Sequence, residues 1–155
     1  MPLAIAAGVI VVVAAVVIFT MERGKGSAAV TPISAEADPY AASLSVTEVK
    51  MSESSNLAGG KVTYIDGHIT NNGNKTVTGI SMQVLFRNVA NEVAQNETQA
   101  VKWIRTHDPY IDLEPVSAAP LKPGEGQDFR LIFDAVTGGW NGVYPEMRIV
   151  HVDAK

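Results

Sequence analysis

No charged side chain occurs between Met1 and Thr20, and Leu3 to Phe19 contains only Ala, Val, Ile, Leu, Gly and Phe. As an α-helix, residues 1–21 would measure about 30 Å, the thickness of a bilayer's hydrocarbon core. A secretory signal peptide opens on positive charge, has a shorter apolar run and ends at a small-residue cleavage site. This stretch has no Lys or Arg ahead of its apolar run, and Ser27-Ala28-Ala29 lies beyond Glu22, Arg23 and Lys25. The reading is a retained transmembrane helix over 1–21, in contact with membrane lipid. Ala4, Gly8 and Ala15 share one face of it, and the Ala4-x-x-x-Gly8 spacing lets a second helix approach closely. Those three residues are candidate contacts to another membrane subunit; in so Ala-rich a segment the alternative is a plain anchor.

Residues 22–40 read as a linker: Ala-, Ser- and Pro-rich, without sustained periodicity. Arg23 and Lys25 follow the helix, which by the positive-inside rule puts the C-terminal part in the cytoplasm. The fold expected below leans instead toward the outside of the cell. Residues 41–155 are left for one domain. The chain contains no cysteine, which excludes disulfides, zinc–cysteine and iron–sulfur sites, covalently attached haem, thiol catalysis and an acylated cysteine. The net charge of −4 is spread without a basic run, so no nucleic-acid footprint is present.

From Leu44 the apolar pattern has period two. Leu44 to Met51 reads as a strand with an irregularity at Thr47-Glu48, then Ser52 to Gly60 as a loop and Lys61 to Thr70 as a second strand. Asn71-Asn72-Gly73-Asn74-Lys75 reads as a hairpin turn, because Asn and Gly tolerate positive φ. Ile80, Met82, Val84 and Phe86 form one face of the clearest strand, opposite Ser81, Gln83, Leu85 and Arg87. Val93 to Ile104 is a weaker strand pair or irregular edge, with Val101 and Trp103 inward. Arg105 to Gly126 is a long Pro-containing connection. Phe129, Leu131 and Phe133 mark another strand, and Met147 to Val152 the last. No helical stripe follows Met21. The fold expected is all-β, an immunoglobulin-like β-sandwich of six or seven strands on one N-terminal transmembrane helix.

The run from Val62 to Phe86, VTYIDGHITNNGNKTVTGISMQVLF, resembles the strand–turn–strand signature of FxLYD-type, single-pass bacterial membrane proteins with an immunoglobulin-like domain. Pro120 to Ile149, PLKPGEGQDFRLIFDAVTGGWNGVYPEMRI, is similar to the closing half of an uncharacterised bacterial relative of those domains. The resemblance implies a tethered sandwich in the bacterial cell membrane, and it carries no catalytic residues.

Chemistry-bearing clusters are sparse. His68, His107 and His151 lack H-x-H or H-E-x-x-H spacing, although His68 and His151, both in strands, are placed to approach each other across a sheet. Asp108, Asp112 and Glu114 do not follow the EF-hand ligand order. Lys122-Pro123-Gly124-Glu125-Gly126 precedes a strand and reads as a turn, not a phosphate cradle. No Gly-x-Ser-x-Gly elbow occurs. No cofactor, metal or catalytic residue is assigned. Trp103, Tyr110, Trp140 and Tyr144 are the candidate partner-binding aromatics, since Trp and Tyr near loops are enriched at interfaces; a pinned corner is the alternative for Trp140 and Tyr144. The function expected is a non-enzymatic, membrane-anchored interaction or assembly module, an accessory subunit whose helix and 105–126 loop contact other membrane subunits. The alternatives are a ligand-binding tethered domain, with the 105–126 loop as its pocket, and a pilin-like filament subunit.

Overall fold

A computed structural model of the chain describes residues 37–55 and 57–155. The apolar stretch, with Ala4, Gly8 and Ala15, lies outside the described residues, as does most of the linker. Among the described residues no helix is long and apolar enough to cross a membrane.

A short 3-10 turn at Pro39–Ser43 leads into eight strands among the described residues: β1 (Leu44–Ser55), β2 (Lys61–Asn71), β3 (Val77–Arg87), β4 (Val93–Ala100), β5 (Lys102–Thr106), β6 (Asp112–Pro115), β7 (Gly126–Phe133) and β8 (Glu146–Ala154). Every pairing is antiparallel. One sheet has the order β1-β2-β7-β5-β6 and the other β4-β3-β8. Their facing sides enclose one apolar core, so the described chain is an all-β sandwich. The folded part begins before Ala41: Asp38 caps the 3-10 turn at the Tyr40 N–H, and its own N–H donates to Val150 O on the open edge of β8.

Val93 to Ile104 is a strand pair, dividing at Val101, whose N–H donates to Ile80 O as the chain passes from β4 in one sheet to β5 in the other. The count exceeds seven because the 105–126 connection also contains β6, which pairs with β5 at the sheet's edge. Pro115 is tolerated there because an edge strand has one side that needs no N–H.

Alternation survives into the core where both faces of a strand differ. Ile80, Met82, Val84 and Phe86 are buried, as are Phe129, Leu131 and Phe133. Phe86 meets Phe133 edge-on across the sheets at 5.0 Å between ring centres. Gln83 and Leu85 point to the other side of β3 yet are also buried. As the middle strand of three, β3 is covered on that side by its neighbours: Arg148 Nε donates to Gln83 Oε1 at 2.8 Å and Gln83 Nε2 donates to Asn96 Oδ1 at 3.0 Å. The irregularity at Thr47-Glu48 is a bulge, with a register shift between Thr47 and Lys50 and Glu48 at φ 54°.

The Asn71–Lys75 turn is not a hairpin. It carries the chain from β2 in one sheet to β3 in the other. Its asparagine acts through its side chain, not through positive φ. Fully buried Asn71 accepts from Tyr40 Oη and the Gly73 N–H, and donates to Lys75 O and Leu121 O, all within 2.8–3.1 Å. Gly73 is glycine because Tyr40 Oη occupies the space of a β-carbon.

Two substitutions test this packing by chemical denaturation. Asn71→Ala removes four hydrogen bonds from a buried site and is expected to lower stability by about 3 kcal/mol with little change in m-value. A β-carbon on Gly67 would lie 2.7 Å from the Phe129 ring, so Gly67→Ala is expected to cost about 1–3 kcal/mol. Pairing it with Phe129→Leu should recover part of that loss.

Candidate functional site

Polar residues that alternate with core residues in β2 and β7 meet on the outer face of the five-stranded sheet. Asp66-Gly67-His68 and Asp128-Phe129-Arg130 run antiparallel in register, so Asp66 lies opposite Arg130 and His68 opposite Asp128. Each pair joins an acid to a base. Arg130 Nε and Nη2 fork onto the two Asp66 oxygens at 2.6 Å each, and the guanidinium stacks over Tyr64 at 4.8 Å. The hydrogen bonds it donates to Asp66 raise the Arg130 pKa above its ordinary value, against the opposing effect of burial. Lys50 lies across from Asp66 on β1 and Lys102 across from Arg130 on β5, so a charged row of three bases and one acid crosses four strands.

The second row centres on Asp128. His68 Nδ1 is 2.7 Å from one carboxylate oxygen and His107 Nε2 is 3.4 Å from the other. His107 belongs to the turn after β5, so Asp128 holds that turn to the sheet. Gly126 leaves room for the His68 ring, which stands where its side chain would be. Beside these rows lies an open hollow of about 210 Å³, lined by Glu48, Lys50, Asp66, Ile104, His107 and Asp128. Its carboxylates Asp66 and Asp128 are already engaged by Arg130 and the histidines. No three His, Asp or Glu side chains among the described residues are placed to hold a metal ion.

The four aromatics singled out from the sequence do not converge. Trp103 is completely buried in the core and its Nε1–H donates to Ala119 O at 2.9 Å, so it offers no surface to a partner. Tyr110 is 82% exposed in the turn between β5 and β6. Trp140 packs edge-on against Phe86 at 5.5 Å and donates through Nε1 to Val143 O at 2.9 Å, pinning the turn cluster before β8. Tyr144 stands out from that cluster. The expected approach of His68 and His151 does not occur, because β2 and β8 belong to different sheets. His151 lies instead near Asp38 and Asp153. In the 105–126 segment Asp112 pairs with Arg105.

The register also sorts the turns to two ends of the sandwich. One end holds the start of the described chain, the 72–76 and 107–111 turns, Lys122–Glu125 and Lys155. The opposite end holds the β1–β2 turn, the 88–92 turn and the 134–145 segment. There, Asn141 binds the backbone of both Arg87 and Asn88 through its own N–H and its side chain, which sets the two turns side by side. Val89, Val143 and Tyr144 project from them at 94, 63 and 57% exposure, and Leu57 is fully exposed on the β1–β2 turn.

The Asp66 and Arg130 side chains retain 29 and 15% of their exposure, between the regimes of weak surface pairs and costly buried ones. Asp66→Asn, which strands the guanidinium, is therefore expected to lower stability by about 2 kcal/mol in a denaturant titration. Comparison with curated proteins and with solved structures gave no match. A family comparison did match, over residues 40–144, from the 3-10 turn to the corner before β8. The chain belongs to the family described as Protein of unknown function (DUF2393).

Proposed function

We propose that the chain is a membrane-anchored, non-enzymatic interaction module, an accessory subunit that presents an immunoglobulin-like sandwich to a protein partner in a bacterial cell membrane. The observation that carries this reading is the clustering of exposed Val89, Val143 and Tyr144 on two turns bonded to each other. Apolar and aromatic side chains held on rigid turns lose little entropy when a partner covers them. The apolar sequence of residues 1–21 supports the anchor. The partner surface proposed here is the end bearing Tyr144, where exposed apolar side chains stand on two turns bonded to each other.

The immunoglobulin-like assignment is supported by strand order. Lettering the strands in sequence, β1-β2-β7-β5 follows the A-B-E-D order of such domains, and β4-β3-β8 follows C′-C-F. The departures are β6 beyond β5 and, among the described residues, no further strand on the open edge of β8. The Val62–Phe86 run further supports a relation to FxLYD-type proteins.

One observation favours a second reading, a binding site for a small polar ligand: the hollow beside Asp128. Its engaged carboxylates leave Lys50 and Glu48 as the groups that would receive it.

Purified from its own cells in mild detergent, the chain is expected to elute with a partner. Val89→Ser combined with Tyr144→Ser should release that partner while shifting the melting temperature by no more than about 2–3 °C, as surface changes do. A lone monodisperse monomer would reject the interaction reading.

A further inference from the structure

The end of the sandwich where the described chain begins carries its own exposed apolar pair. Tyr110 is 82% exposed and Ile111 beside it 39%. Their turn is fastened at several points: Thr106 Oγ1 donates to Tyr110 O at 3.3 Å, Arg105 pairs with Asp112, and His107 reaches Asp128. The tyrosine is thus held outward on a braced turn. We propose that this end of the domain rests on the lipid bilayer, with Tyr110 and Ile111 entering the headgroup region.

Three features argue for lipid as the occupant. The first is chain length: the described chain enters this end at residue 37, and residues 22–36, which separate it from the apolar stretch, reach about 50 Å at most. If that stretch spans a membrane, as the proposed function holds, this end stays within that distance of the bilayer. Even weak insertion is then favoured by the high effective concentration.

The second is the chemistry of the pair. A tyrosine ring with an apolar body and a polar hydroxyl suits the membrane–water interface, and an adjacent isoleucine suits the acyl boundary.

The third is charge. Lys75, Lys122, Lys155 and Arg105 at this end stand against Asp38, Asp108, Asp112, Glu125 and Asp153, with Lys122 beside Glu125 and Arg105 paired with Asp112. No basic excess is present, so insertion rests on the apolar pair and needs no anionic lipid. It also leaves the Tyr144 end pointing away from the bilayer.

The absence of cysteine makes the test clean. Ile111→Cys and Val143→Cys variants of the whole chain each take one environment-sensitive fluorophore and are reconstituted into phosphatidylcholine vesicles containing lipid brominated near the glycerol. The label at 111 is expected to shift to the blue and lose intensity to the bromines, and that at 143 to do neither. Tyr110→Ser in the Ile111→Cys chain should reduce the quenching. Flotation with the vesicles while the 111 label behaves like the 143 label would overturn the proposal and leave the anchor standing. Quenching at 143 alone would overturn it too. Failure to float would remove the anchor, and the proposal with it.

Discussion

The side chain of Asn71 holds the point on which the two sheets depend. At that residue the chain leaves the five-stranded sheet for the three-stranded one, and an ordinary loop would expose or strand several backbone groups. Asn71 answers this with a carbonyl that accepts from Tyr40 and Gly73 and an amide that donates to Lys75 and Leu121. Its backbone also bonds Glu125 and Gly124. One buried polar residue thus ties the 3-10 turn, the crossing and the return segment before β7 together. Buried polar groups are tolerated when all their bonds are made, and then they specify geometry that apolar packing leaves loose.

With that crossing fixed, the two sheets use their outer faces differently. The three-stranded sheet buries even the outer side of β3, under Arg148 and Asn96. The five-stranded sheet leaves its outer face to a lattice of paired charge around Asp66 and Asp128. Partly exposed pairs contribute modestly to stability, and here they set register: a slip of β2 against β7 by one residue would put each acid opposite a core residue. The glutamines of β4 add a seam between sheets, with Gln99 donating to Ile132 O and Gln95 to Ala135 O.

Among the described residues the large exposed apolar side chains, Ile132 on β7 apart, lie on or beside the turns at the two ends, and both proposals rest on that. The end with Val89, Val143 and Tyr144 is built from turns bonded to each other. The other end, with Tyr110 and Ile111, is where the described chain begins. Under the two proposals, one apolar end would face a partner and the other a bilayer.

Much of the strand pattern was legible in residue alternation. The inward faces of β3 and β7, the inward Val101 and Trp103 and the bulge after Thr47 all follow from local period and its interruption, because backbone pleating imposes the alternation within one strand. Which strands pair is another matter. The Asn71–Lys75 signal marks a turn, but whether a turn closes a hairpin or crosses between sheets depends on where β7 and β8 arrive from later in the chain. The same reason hid the charged lattice: D-G-H and D-F-R are unremarkable separately, and only antiparallel pairing at a separation of some sixty residues sets acid against base. Alternation turned Trp103 inward, but the long connection beside it also made it a candidate contact, and only the chain's return, which lays Ala119 over its indole nitrogen, decides between the two. The sequence by itself determined the all-β class of the domain and the inward faces of β3 and β7, since these rest on neighbours along the chain. Only the tertiary structure decided strand order, the role of Asn71 and which aromatics reach solvent, since these rest on contacts between segments far apart in sequence.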